Sequence, residues 1–286
     1  MRNISCILRK STKILKRAGI STPRLDAEIL LSYILKFDRA KLYYSDDIIL
    51  DKRSLIEFFS LIKKRKKRKP LAYIIKRKEF FSFPLYIEEG VFIPRPETEI
   101  LVEVILKKYK EKFNGEEVLI ADICTGSANI AIALAKNIKT AKIYATDISD
   151  KALEIAEVNI KKFNLENRIF LIKGDLIKPL IERNLKFDII VSNPPYVALN
   201  ELYIVNSEIF YEPKEAILGG YDGLKYYKEF VKFLPKVIKT KYIVAFEINS
   251  LKAKEILKLF KKAKIFRKIS LFKDYSKNLR VLLGEG

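Results

Sequence analysis

The chain has 286 residues, 49% of them hydrophobic, and a formal net charge of +21. That length holds a full-size α/β domain and a smaller companion, and the charge suits an anionic partner, although a coding bias toward Lys, Ile, Asn, Phe and Tyr accounts for most of it. Two distant cysteines, Cys6 and Cys124, exclude a disulfide framework, and a chain without histidine excludes imidazole catalysis and the usual zinc sites, so no metal is expected.

Charge at Arg2, Arg9 and Lys10 interrupts the N-terminal segment too early for a signal peptide, and no apolar run reaches a membrane span. A cytoplasmic protein with no membrane partner is expected. Residues 1–70 read as a helical domain. Ile4, Ile7, Leu8, Ile14 and Leu15 mark one helix. Leu25, Ile29, Leu30, Ile34 and Leu35 mark a second, and Asp51 caps a third that runs into seven consecutive basic residues, Lys63 to Lys69. Residues 71–96 change period: Glu79 to Ile87 and Val91 to Ile93 suggest short strands, a hairpin linker stopped by Pro94 and Pro96. Glu97 then opens a helix.

From residue 117 the pattern is strand, turn, helix, repeated. Strands are expected at 118–123, 143–146, 169–172, 187–192, 242–248, 265–271 and 280–283, with helices at 128–135, 151–162, 223–237 and 251–260. This alternation predicts a doubly wound, mostly parallel α/β sheet over 97–286.

Asn193-Pro194-Pro195-Tyr196 follows the buried run Phe187 to Ser192. Each proline fixes its own φ, lacks an N–H and pushes the preceding residue away from helix. The stretch is therefore rigid and extended, at the strand end where open sheets place ligands. The Asn193 amide oxygen and the Pro194 carbonyl can both accept from one –NH2 group, and Tyr196 offers a flat face. This is a clamp for a planar amide or an exocyclic amine. Upstream, Asp122-Ile123-Cys124-Thr125-Gly126-Ser127-Ala128 forms the first strand-to-helix turn. Asp147 ends the next strand, at the spacing of a ribose ligand. Gly174-Asp175 and Leu176 follow the third strand, at the depth of an adenine edge. Neither G-x-G-x-x-G nor a P-loop lysine is present, which disfavours dinucleotides and triphosphates. S-adenosylmethionine fits, with Asp122, Cys124, Thr125, Gly126, Ser127, Ala128, Asp147, Asp175, Leu176 and Asn193 expected around it.

The segment Phe92-Ile93-Pro94-Arg95-Pro96-Glu97-Thr98-Glu99, with Leu71-Ala72-Tyr73-Ile74, Glu212-Pro213 and Gly219-Gly220-Tyr221-Asp222-Gly223, resembles the release-factor glutamine methyltransferase family. The resemblance runs over nearly the whole chain. It implies a seven-stranded class I methyltransferase sheet. It also implies S-adenosylhomocysteine as product and, as substrate, the glutamine of the Gly-Gly-Gln loop of class-1 peptide-chain release factors. Under it, Asn193, Pro194, Pro195 and Tyr196 are catalytic and hold the amide, Phe92 lines the pocket, and Arg95 and Glu99 brace the clamp. The chain departs from the family at Cys124, Ala128 and Lys76, where glycine is usual. Two other readings stay open. Asn-Pro-Pro-Tyr also serves methyltransferases acting on adenine N6 or guanine N2, but no segment looks like a target-recognition domain, so nucleic acid is not expected as substrate. A non-catalytic binding module is the other, which Cys124 and Ala128 make conceivable.

Overall fold

The computed structural model describes residues 3–45, 48–204 and 207–286. They divide into two compact units. The helical unit comprises the chain up to Arg77 together with residues 207–211, and the sheet unit comprises the rest. No helix among the described residues is long and apolar enough to cross a membrane.

The helical unit contains α1 (Ile4–Arg17), α2 (Pro23–Leu35), α3 (Lys52–Lys66) and the short α4 (Leu71–Ile75). Asn3 caps α1, accepting from the Cys6 N–H. Asp51 caps α3, accepting from the Arg53 and Ser54 N–H groups at 2.8 and 3.0 Å, as the sequence suggests. Ile4, Leu8, Leu15, Leu30, Leu31 and Phe58 form the buried centre. The basic run is not uniformly solvated. Arg65 is 3% exposed and is held by Asp26 and Glu208, each at 2.6 Å. Residues 71–75, expected within the hairpin, make a helical turn instead, because five successive apolar or small residues follow Pro70 without alternation.

The hairpin itself is β1 (Arg77–Phe80) and β2 (Phe83–Tyr86). Val91–Ile93 forms no strand. A 3₁₀ turn at Pro96–Thr98 leads into α5 (Glu99–Phe113), so that helix begins two residues later than expected. The sheet then runs β3 (Leu119–Ile123), α6 (Asn129–Asn137), β4 (Lys142–Asp147), α7 (Asp150–Lys162), β5 (Ile169–Lys173), α8 (Lys178–Glu182), β6 (Phe187–Ser192), α9 (Lys225–Phe233), β7 (Ile238–Glu247), α10 (Ala253–Lys262), β8 (Lys268–Lys273) and β9 (Leu279–Glu285).

The strand order is β5-β4-β3-β6-β7-β9-β8. Within this sheet β9 alone runs opposite to the other six strands. This is the expected seven-stranded, mostly parallel arrangement. The order reverses beside β3, which pairs with β4 on one side and β6 on the other. Ligands bind at such a switch point, beyond the carboxyl ends of the strands. The register Ile123↔Ser192 brings the turn after β3 level with the segment after β6.

Candidate active site

Two local devices fix the segment after β6. Ser192 Oγ donates to the Ile123 carbonyl at 2.6 Å, locking the end of β6 to β3. Beyond the prolines, Val197 N–H donates to Ile217 O at 3.0 Å and Gly219 N–H to Val197 O at 2.9 Å. The loop around Gly219 therefore lies against the clamp backbone. A Cβ at Gly219 would stand 2.8 Å from both Pro195 O and Tyr196 Cα. A Cβ at Gly223, where φ is +73°, would stand 2.7 Å from Tyr196 O.

The Asn193 side chain is oriented by its nitrogen, because Nδ2 donates to Thr98 Oγ1 at 3.2 Å. Among the described residues no group donates to Asn193 Oδ1 or to the Pro194 carbonyl. The Tyr196 hydroxyl donates to Glu247 Oε1 at 3.1 Å. Burial and then the Glu247 charge push the Tyr196 pKa far above that of an ordinary phenol, so it stays a neutral donor. Two consecutive residues, Asn193 and Pro194, thus each carry an acceptor without a donor, two positions before an aromatic side chain anchored by its hydroxyl.

Phe92 and Arg95 are joined: the guanidinium lies 4.9 Å from the Phe92 ring centroid. Arg95 pairs with Glu212 Oε1, and Glu212 Oε2 accepts from the Ile93 N–H at 3.0 Å. A buried carboxylate thus fixes the extended stretch that carries Phe92. Glu99 lies elsewhere. Its Oε1 accepts from the Phe81 N–H at 2.8 Å, at a hairpin turn whose two central residues, Phe81 and Ser82, both have positive φ. Such a turn favours glycine or asparagine, and the Glu99 bond holds it with bulkier residues.

In the turn after β3, Asp122 Oδ2 accepts from Thr125 Oγ1 at 2.6 Å and from the Ala131 N–H at 3.1 Å. It thereby caps α6, whose own N-cap residue, Ala128, makes no side-chain bond. Burial pushes the Asp122 pKa up to about 7, against those two hydrogen bonds. Asp147 Oδ2 accepts from Gly126 N–H at 2.9 Å and Oδ1 from Ser149 N–H at 3.0 Å, while burial raises its pKa. Asp122 Oδ1 and Ser127 Oγ are buried without partners. A Cβ at Gly126 would meet nothing nearer than Val91 Cγ2 at 4.0 Å. The turn therefore offers unsatisfied polar atoms beside open space, which suits a polar ligand. Leu176 accepts the Thr146 hydroxyl through its carbonyl at 3.0 Å, and Asp175 pairs with Lys178 at 2.5 Å. Burial pushes the Cys124 thiol pKa well up, so it stays a neutral thiol. Cys124, Ala128 and Lys76 have φ of 60°, 62° and 52°. All three departures from glycine occupy the left-handed region, where a Cβ costs about 1 kcal/mol.

Thr98, Glu212 and Glu247 belong to this constellation but carry no motif that isolates their roles. The available signal for Glu247 is a lone acid closing the apolar run Tyr242 to Phe246.

Residues 7–75 match the family described as the PrmC N-terminal domain, and residues 87–219 match the methyltransferase small domain. A Clostridium acetobutylicum release factor glutamine methyltransferase is 38% identical over 97% of this chain and 96% of its own. A Buchnera aphidicola protein of the same name is 37% identical, with 99% of each chain covered. Among solved structures, a Pyrococcus furiosus methyltransferase superposes with a TM-score of 0.51 at 20% identity, covering 72% of this chain and 89% of that one. A Thermus thermophilus 16S rRNA methyltransferase gives 0.53 at 16%, covering 73% and 49%. These last two establish the fold.

Proposed function

This chain belongs to the release factor glutamine methyltransferase family, and from that premise we propose that it methylates the side-chain amide nitrogen of the Gly-Gly-Gln glutamine in class-1 peptide-chain release factors. S-adenosylmethionine is the methyl donor and S-adenosylhomocysteine the product.

One observation carries the reading. With Nδ2 committed to Thr98, Asn193 presents Oδ1 beside the Pro194 carbonyl, and a primary amide has two N–H groups to satisfy such a pair. An amide nitrogen is a poor nucleophile because its lone pair is delocalised. Accepting both N–H bonds favours localisation of that pair and orients it. The same acceptors stabilise the positive charge that develops on nitrogen, and they are already in place before reaction. Tyr196 and Phe92 are the apolar walls, and the Glu212–Arg95 pair supports Phe92. The proton passes to water after transfer, which suits a site without a histidine.

S-adenosylmethionine supplies a methyl on a sulfonium, so no acid is needed for the leaving group. The turn Asp122–Ala128 with Asp147, Asp175 and Leu176 would hold it. The unpartnered Asp122 Oδ1 and Ser127 Oγ fit a ligand with polar groups and no phosphate. Nucleic acid is not proposed as a substrate.

The test is incubation with S-adenosylmethionine and a class-1 release factor, followed by mass mapping. One methyl gained on the Gly-Gly-Gln peptide, and lost in Asn193→Ala, is expected. Methyl incorporation into RNA or DNA in parallel, with none on that peptide, would overturn the assignment.

A further inference from the structure

We propose that Glu247, at the carboxyl end of β7, decides which end of the Asn193 amide faces the substrate, acting through the Thr98 hydroxyl. The inference rests on the proposed role of Asn193 as an acceptor for an amide –NH2.

Glu247 and Thr98 are each 1% exposed. Glu247 Oε1 accepts from Tyr196 at 3.1 Å. The Thr98 hydroxyl lies against the same carboxylate and, as a donor toward it, favours its charged form; Glu247 Oε2 is buried with no other partner. A hydroxyl has one proton to give. Beside an acceptor-only carboxylate that proton points at Glu247, and Thr98 Oγ1 is left as an acceptor. An acceptor at that point selects Nδ2 of Asn193, at 3.2 Å, and turns Oδ1 outward. A carboxamide or a protonated acid at 247 reverses the chain of donors. It gives a hydrogen to Thr98, Thr98 gives its own to Asn193 Oδ1, and the amide turns over. Nδ2 would then meet the substrate –NH2, donor against donor. Glu247 is thus a positioning residue for both halves of the clamp, since it also anchors Tyr196.

The groups facing Glu247 come from several elements. Arg280 of β9 favours the anion, and Glu97, ahead of α5, opposes it. The Tyr227 hydroxyl of α9 donates to the Glu247 main-chain carbonyl at 2.8 Å. Burial raises the Glu247 pKa above the ordinary carboxylate value. Activity should therefore fall on acidification at a higher pH than for a solvated carboxylate, and Glu247→Gln should lack that limb.

The experiment compares Glu247→Gln, Thr98→Val and Thr98→Ser with the parent enzyme on a release factor and on the same factor carrying glutamate at the target position. We expect Glu247→Gln to lower kcat about 100-fold, with cofactor affinity and melting temperature close to the parent. Its binding preference should shift from the glutamine form toward the glutamate form, because an outward Nδ2 suits a carboxylate. Thr98→Ser should restore what Thr98→Val loses. An unchanged kcat in Glu247→Gln, or a lower kcat with the glutamine preference intact, overturns the inference. If Glu247→Gln does not fold, the Thr98 pair decides it by the same preference. Solvent exchange of the Asn193 side-chain –NH2, followed by NMR without substrate, is the second readout: slow in the parent and fast in Glu247→Gln. Equal rates overturn the inference even if the parent leaves the release factor unmethylated, an outcome that would sink only the functional reading.

Discussion

The clamp after β6 and the turn after β3 lie side by side in register, yet they are built in opposite ways. The clamp's two side chains are held before any ligand arrives: Nδ2 of Asn193 donates to Thr98 and the hydroxyl of Tyr196 to Glu247, which leaves Asn193 Oδ1 open. The turn is strained and incomplete, with left-handed Cys124 and Ala128 and two buried polar atoms lacking partners. The difference tracks what each must do. A clamp that aims one lone pair gains from fixed geometry. A cofactor turn can leave its last hydrogen bonds to the ligand, so its folded state is less stable without one.

The largest expected effect is at Gly219. Alanine there puts a Cβ 2.8 Å from backbone on the clamp, and neither chain can yield without moving Pro195. A loss of about 2–3 kcal/mol in urea unfolding is expected, together with collapse of kcat. Gly126→Ala is the matching change in the turn. It meets open space and suffers only from its φ of +56°, so it should cost about 1 kcal/mol. Equal costs at the two glycines would break the contrast.

Asp122→Asn sharpens it through pH. The carboxyl goes from 3.8 to about 7 on folding. Between those values the folded chain keeps a proton that the unfolded chain has lost, so stability falls as pH rises through that window. The amide does not titrate. The variant should therefore gain on the parent by up to about 2 kcal/mol between roughly pH 5 and pH 8, read from urea midpoints at both ends. The smallest effect is at exposed Lys76, where φ is 52°. Lys76→Gly should raise stability by about 0.5–1 kcal/mol, visible as a higher melting temperature.

Much of the sheet is legible as sequence because its parallel strands are buried on both faces. Phe187 to Val191 is apolar but for Asp188 and is wholly buried. β7 extends four residues before its expected start, at Ile238, because Lys239 and Lys241 disguise it. They pair with Asp188 and Glu116 at 2.7 and 2.9 Å. Val91–Ile93 has strand-like residues but no ladder, since a side chain, Glu212, takes the Ile93 N–H. The five-residue α8, with Pro179 in its first turn, is too short to show a helical period. The clamp was visible because prolines constrain a backbone wherever they stand. Its supports were not. Thr98, Asn193 and Glu247 meet only once the strand ends are aligned, and no local spacing encodes that.

Arg65 has a consequence for how such enzymes can be recombined. Its guanidinium needs Asp26, 39 positions away within the same N-terminal stretch, and Glu208, 143 positions away. Tyr211 likewise reaches the Lys67 carbonyl at 2.6 Å. A chimera that grafts the first 77 residues onto a different methyltransferase inherits Arg65 with half of its counter-charge gone. The transferable module is therefore a discontinuous one, a domain plus a short remote insert, and a boundary drawn along the chain at a single point would sever it.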